Sequence, residues 1–384
     1  MQATSDSQPS VRRLVLLVSA IVMLDVAFYA AVAPLLPHYV DEFDLSKTGA
    51  GILTGSYAAG SLVGAIPGGW LAGRWGVKPT TLAGLLGLAV SSLVFGLAQE
   101  VWLLDVARFV QGIAGACTWA AGFAWIVERA PAGRRGELIG TPLAAAIAGA
   151  LLGPVLGAVA DELGPEVVFT GVAVTALALT VPASREPAAP GEAVDLRRVA
   201  AAVRIPAVRV GIWLTALPAL AAGVLNVLVP LRLDALGAAS AAIGATYLVA
   251  AALEALMSPI LGRLSDRRGR LVPIRAGLIG AAVLLVLIPI PGSAPVVAAL
   301  FVLTALASAA FWAPAMAMLS DEVERVRVQQ GYAFAFTNIA WSTGLLLGNG
   351  GGSALAEATA DWVSYAAVAL LFFVTFAAVA RRAR

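Results

Sequence analysis

Three ionisable residues fall deep inside apolar stretches of this chain: Asp25, Arg108 and Glu254. A charge at the centre of a bilayer costs about 2.5–3.5 kcal/mol on insertion scales, and such residues face a cavity, pair with one another or carry protons and ions. Asp25 sits in the run from Leu14 to Pro37, and about 20 apolar residues are enough to cross the hydrocarbon core. Burial favours the neutral form of an acid, whereas a neighbouring guanidinium such as Arg108 favours the charged form. An acid balanced in this way can exchange a proton for a cationic substrate. The static alternative is a structural Asp25–Arg108 ion pair. Glu254, in Ala251-Ala-Leu-Glu-Ala-Leu256, reads as a second protonation site, a substrate contact, or a neutral acid bonded to a nearby helix, with Asn226 as a possible partner. Gln111, Asn226 and Asn338 lie at comparable depth, and Phe28, Tyr29, Tyr57, Trp125, Trp312, Tyr332 and Phe336 are candidate pocket aromatics. A cation over such a ring gains about 0.5–2 kcal/mol. Trp70, Trp75, Trp102 and Trp362 suit interfacial anchoring instead.

These residues need a membrane-spanning frame, and the composition supplies one. Of 384 residues, 60% are hydrophobic and 12% charged, against about 25% charged in soluble domains. Net charge of +2 gives no reason to expect nucleic acid as a partner. The single cysteine, Cys117, excludes an internal disulfide, and the single histidine, His38, leaves little for a histidine metal site or a catalytic triad. His38 reads as an exposed helix-end residue. No Gly-x-x-x-x-Gly-Lys-Ser/Thr segment is present, which argues against a self-contained ATP-driven pump. Arg12 and Arg13 precede an apolar run too long for a signal peptide, so this run reads as a first spanning helix.

The apolar runs predict an all-α membrane protein of twelve helices, near 14–37, 48–72, 79–98, 101–127, 138–160, 167–182, 208–231, 241–262, 271–290, 295–319, 330–352 and 361–380. They are too long and too continuous for barrel strands, which alternate in polarity. With a cytoplasmic N-terminus, the loops on the far side hold only Lys47 and Arg232, Arg108 lies within a helix, and the rest of the 25 Lys and Arg fall on the cytoplasmic side. That asymmetry is the positive-inside pattern and places both termini in the cytoplasm. A Pro-, Ala- and Arg-rich stretch predicts a cytoplasmic linker over 183–207, between six-helix bundles at 1–182 and 208–384. The halves repeat: Pro37 and Pro230 are 193 residues apart, Tyr57 and Tyr247 are 190 apart, and the segments Gly69–Gly76 and Gly262–Gly269 are again 193 apart. An internal repeat of this size points to a transporter built from two related bundles by pseudo-symmetry.

Four segments then resemble signatures of the major facilitator superfamily, and in particular of its twelve-helix drug:proton antiporters. Gly262-Arg-Leu-Ser-Asp266-Arg267-Arg-Gly269-Arg270 is similar to the family loop motif G-x-L-x-D-R-x-G-R. Its first-half counterpart runs from Gly69 through Gly73, Arg74 and Gly76 to Lys78. Arg108-Phe-Val-Gln111-Gly112-Ile-Ala-Gly115-Ala resembles the R-x-x-Q-G-x-x-x-A motif of proton-coupled members. Gly149-Ala-Leu-Leu-Gly153-Pro154-Val-Leu-Gly157 resembles the antiporter motif G-x-x-x-G-P-x-x-G, and Leu24-Asp25 with Pro34-Leu-Leu-Pro37 looks like helix one of the drug:proton group. For the glycines, close helix packing is the alternative reading, and Pro154 bends its helix. For the second loop motif, the alternative is a plain basic turn. In the functional reading Asp266 latches the two bundles. Gly73 stands where the first-half acid belongs, so the usual first latch is expected to be missing and the outward-open state to be held less firmly.

The resemblance implies a secondary transporter that works by alternating access, without a cofactor or bound metal and without enzymatic activity. It implies export of small amphipathic or cationic compounds in exchange for protons, by a monomer in the inner (plasma) membrane whose partners are substrate, protons and the lipid bilayer. Asp25, Arg108 and Glu254 are the expected proton-coupling residues. Asp25, Phe28, Tyr29, Tyr57, Gln111, Asn226, Trp312, Phe336 and Asn338 are the expected substrate contacts. The alternative is a proton symporter or uniporter for sugars or other small metabolites. A membrane-embedded enzyme would need a nucleophile–base pair at depth, which one His and one buried Cys do not provide.

Overall fold

The computed structural model describes residues 7–131, 135–189, 201, 203–325 and 330–381. Among these residues the chain is helical throughout, as the apolar runs predict. The first half holds α1 (Ser7–Phe43), α2 (Lys47–Trp75), α3 (Val77–Leu97), α4 (Val101–Arg129), α5 (Arg135–Leu163) and α6 (Pro165–Arg185). The second holds α7 (Pro206–Ala235), α8 (Ser240–Arg268), α9 (Leu271–Leu287), α10 (Ala294–Arg325), α11 (Gln330–Leu346), α12 (Ser353–Ala358) and α13 (Asp361–Arg381). A single π-helical turn, Leu347–Gly352, joins α11 to α12 without a break, so twelve continuous helical rods are described. Among the described residues, ten helices are long and apolar enough to cross a membrane, and α9 is a shorter apolar helix.

Helix α1 runs six residues past Pro37, the predicted end, with both Pro34 and Pro37 inside it. Proline costs a helix one backbone hydrogen bond, but membrane helices tolerate that loss where neighbours re-satisfy the backbone. The sixth helix is also longer than the sequence suggests, with Pro165 at its first position, where the missing N–H has no partner to lose.

The contacts divide the chain into two compact units. One contains the described residues through Val32 and those from Ala59 to the start of the linker. The other contains Ala33–Ala58 and the described residues after the linker. Small residues set the packing in each. In the first unit a β-carbon added at Gly60 would lie 1.9 Å from the Phe109 carbonyl oxygen, and one at Gly64 would lie 2.9 Å from the Ile113 Cα. The second half of α2 therefore lies backbone-to-backbone on α4, as small-x-x-x-small stripes allow. Gly149 and Gly153 bring α5 equally close to α1, where added β-carbons would meet the Met23 carbonyl oxygen at 2.5 Å and the Ala30 Cβ at 2.4 Å. Pro154 and Gly157 beside them are buried. An aromatic triad, Phe28, Phe95 and Phe169, fills the space between α1, α3 and α6 at centroid distances of 4.8–5.4 Å. Each such pair adds about 0.5–1.5 kcal/mol beyond its buried area.

In the second unit the start of α2 packs on α12 and the π turn, where Gly51 and Gly55 face Ser353 and Asn349. Gly223 of α7 faces Gly348 in the same manner. The helix pair α1–α2 is joined by a tight corner in which Asp44 takes a left-handed φ of 50°. Ser46 then caps α2, its hydroxyl accepting the Gly49 N–H at 3.2 Å. Lys47 pairs with Asp361, and the Glu357 carboxylate accepts the Thr48 N–H at 2.7 Å. An acid at a helix N-terminus is favoured by the exposed N–H groups and the helix dipole. The Thr48 and Ser46 bonds hold the Glu357 carboxyl below its ordinary range.

The two loop motifs have one backbone shape. Gly76, before α3, has φ 95° and ψ 160°. Gly269, after α8 and 193 positions later, has φ 85° and ψ 150°. That region is open essentially only to glycine, so the repeat read from residue types is also a repeat of backbone geometry.

Candidate functional site

The polar cluster of the first unit is built by one stripe of α4 against one face of α1. Arg108, Gln111, Gly112, Gly115 and Trp119 recur at intervals of three and four residues, which puts them on one side of α4. On α1, Asp25 is followed at i+3 and i+4 by Phe28 and Tyr29, again one face. Asp25, Arg108 and Gln111 are at most 1% exposed. The indole Nε1 of Trp119 donates to Asp25 Oδ2 at 3.1 Å. Gly115 makes room for that carboxylate, since a β-carbon there would lie 2.9 Å from Oδ2. Toward the start of α4, Arg108 donates from Nη1 to Gln111 Oε1, and its guanidinium lies 5.6 Å from the Phe28 ring centre and 5.8 Å from that of Tyr29. The guanidinium is thus fixed by an amide oxygen and two aromatic faces.

Chemically, the cluster joins a buried proton acceptor to a buried permanent cation on the same pair of helices. Trp119 and the role of Gly115 escaped the sequence reading. The signal was present, because Trp119 lies eleven residues after Arg108, three turns along the same stripe, but an aromatic near other aromatics did not stand out.

The candidates of the second unit are more dispersed. Glu254 is half-buried in α8, where Ser258 bonds to its backbone carbonyl at 3.0 Å. Asn226 on α7 and Asn338 on α11 are half-buried, and the Ser342 hydroxyl donates to Asn338 Oδ1 at 3.1 Å. Trp312 meets Trp341 edge-on at 4.5 Å, Phe336 is buried at 2% exposure, and Tyr57 is half-buried. Tyr247, the repeat mate of Tyr57, donates to the Leu225 carbonyl at 3.1 Å. Trp125 is fully buried and donates to the Pro187 carbonyl at 3.2 Å, so it holds the start of the linker. His38 lies within α1, 3.4 Å from Glu42 one turn on. The side chains of Asp266 and Tyr332 lie outside the described residues. Of the remaining motif residues, Arg74 lies over Trp70 at 5.5 Å, Gly69, Gly73 and Gly262 sit half-buried in their helices, Arg267 is exposed, and Arg270 is half-buried.

The family model described as Major Facilitator Superfamily matches residues 15–217 and again 211–384. The chain belongs to the Major Facilitator Superfamily. It is therefore a multi-pass membrane transporter in a class that is not enzymatic, and the double match mirrors its internal repeat. The chain is 26% identical to the uncharacterized MFS-type transporter YcaD of Shigella flexneri over 377 residues, covering 97% of this chain and 96% of the relative. It is 32% identical over 124 residues to the MFS-type transporter ppzB of Metarhizium rileyi, a match covering 30% of this chain and 25% of that relative. Among solved structures, it aligns with a bacterial homologue of the human lysosomal transporter Spinster at TM-score 0.77 and 16% identity, covering 97% and 96% of the two chains. A D-xylose–proton symporter aligns at TM-score 0.76 and 17% identity, covering 96% and 97%. At those identities the likeness is one of fold.

Proposed function

We propose that this transporter exchanges protons for small amphipathic or cationic compounds and carries them out of the cell. The observation that carries the reading is the Asp25 carboxylate, fully buried and held by Trp119 against Gly115, on the same α1–α4 pair that buries Arg108. Proton and cationic substrate compete for that one acid, and the competition couples their fluxes. Arg108, fixed by Gln111, Phe28 and Tyr29, supplies a permanent positive charge on the helix that faces the acid. Glu254 serves as a second acid, and Asn226, Asn338, Tyr57, Trp312 and Phe336 supply the contacts of the second half. The bundles 1–182 and 208–384, joined in sequence by the 183–207 linker, move in an alternating-access cycle. Both termini lie in the cytoplasm and the protein resides in the inner (plasma) membrane. One charge moved per cycle across 100 mV supplies about 2.3 kcal/mol.

The test is collapse of a pH gradient in energised inside-out vesicles. Lipophilic cations and neutral drugs are added to wild type and to Asp25→Asn. A compound that dissipates the gradient only in wild type supports exchange at Asp25. Counterflow of a labelled sugar, undiminished in Asp25→Asn, would replace this reading with the symporter or uniporter alternative.

A further inference from the structure

At the end of the second unit where α2 begins, a cleft of about 320 Å³ opens among Lys47, Arg232, Asp361 and Tyr365, walled by Pro289 and Trp362. Three donors reach it from three elements. Lys47 is the first residue of α2, Arg232 lies in the last turn of α7, and Tyr365 lies near the start of α13. Lys47 and Arg232 are also the two cations that the charge pattern assigns to the loops opposite the basic face. The cleft has one acidic group, Asp361, and that carboxylate is engaged by Lys47.

Two buried donor atoms of its lining have no protein acceptor. Tyr365 is 2% exposed and its hydroxyl has no protein hydrogen bond. Arg232 donates from Nη2 to the Pro291 carbonyl at 3.2 Å, but its buried Nε has no acceptor. A buried donor without an acceptor is costly, and native proteins rarely leave such groups unmet. The lining therefore presents surplus N–H and O–H groups and a net positive charge. Trp362, 62% exposed, suits the level of the membrane–water interface, where lipid headgroups lie. An oxyanion with several acceptor oxygens answers every one of these features, because a guanidinium grips phosphate through parallel N–H bonds and a lysine adds a point charge.

We propose that this cleft binds a phosphate group, presented by an anionic lipid headgroup or as free phosphate. A bound phosphate ties the tip of the α1–α2 pair, through Lys47, to the ends of α7 and α13. The site thereby tunes how firmly that tip is held, a role separate from substrate transport at Asp25.

Thermal unfolding of the purified full-length protein, followed by tryptophan fluorescence, tests it. One arm titrates inorganic phosphate at constant ionic strength set with chloride. The other titrates phosphatidylglycerol into mixed micelles, with phosphatidylcholine as the comparison. Stabilisation that saturates in at least one arm is expected, and the responding arm identifies the source. Arg232→Gln should raise the midpoint at least about tenfold, the equivalent of about 1.4 kcal/mol. Tyr365→Phe, which removes one oxygen and keeps the ring, should raise it about threefold. Absence of saturable stabilisation in both arms would overturn the proposal. So would a midpoint unchanged in Tyr365→Phe, a variant expected to fold even where Arg232→Gln does not.

Discussion

The polar groups of the two units are held in opposite ways. In the first unit Asp25, Arg108 and Gln111 are sealed from solvent, and each has a named partner: an indole, an amide oxygen, two aromatic faces. In the second unit Glu254, Asn226 and Asn338 are half-buried on three separate helices. A sealed acid depends on every atom around it, whereas a partly exposed side chain can re-orient when a neighbour changes. The first arrangement suits a site whose protonation must report substrate, and the second suits contacts that adapt.

The widest separation between the two should be in transport. Asp25→Asn is expected to reduce proton-coupled flux by about a hundredfold or more, equivalent to about 2.7 kcal/mol, while Glu254→Gln changes it less than about threefold. Vesicle assays on both variants decide this, and equal losses would remove the distinction. Trp119→Phe keeps an aromatic ring but removes the bond to a buried carboxylate. Hydrogen bonds to charged groups contribute about 1.5–3 kcal/mol, so this variant should unfold at clearly lower temperature, whereas Trp312→Phe, which loses no described hydrogen bond, should change much less. The loop glycines extend the contrast to the backbone. Gly76→Ala and Gly269→Ala each force a non-glycine residue into a region that costs about 1–3 kcal/mol. Gly76→Ala should be the worse of the two, because an added β-carbon would also press to 3.3 Å on the Ala189 carbonyl, while the surroundings of Gly269 are open. Denaturation midpoints in detergent would check the order.

The smallest effect concerns pH. Glu357 has its carboxyl lowered by the Thr48 and Ser46 bonds. A lowered folded-state value means that its contribution is complete above the ordinary glutamate range and fades as pH falls through the lowered value. The α1–α2 corner should therefore loosen as pH falls below the ordinary glutamate range, and hydrogen-exchange protection at residues 46–49, relative to the intrinsic rate at each pH, should fall there. Glu357→Gln should flatten that pH response, and an unchanged profile would show that the Thr48 bond contributes little.

Much of this was legible in residue types. Unbroken apolar runs can only be helices in a bilayer, so twelve rods followed directly. The glycine spacing of Gly69–Gly76 and Gly262–Gly269 encoded a shared loop shape because φ near 90° excludes other residues. Asp25 and Arg108 were conspicuous because charge in an apolar run is costly. What stayed hidden was long-range. Lys47 and Asp361 are separated by 314 positions, and no local pattern pairs them. Along α2, Gly51 and Gly55 serve one unit and Gly60 and Gly64 the other, a division that the glycine spacing does not mark. Trp119 was missed because its importance comes from the atom it faces, which periodicity places on a side of the helix but does not identify.

The π turn at Leu347–Gly352 carries a consequence of its own. A wide turn is what one surplus residue leaves in an α-helix, and it absorbs that residue so that the rods on either side keep their phase. Gly350 and Gly351 border open space, so deleting one of them meets no packing obstacle. The deletion would let the rod close into uniform α-helix with little rotation of the stretch beyond, so Ser353 should stay against Gly51 and Glu357 against Thr48. A deletion within the uniform α-helix of α11 would instead rotate that stretch by about 100°. The wide turn thus stores slack of one residue in the rod without re-aiming its end.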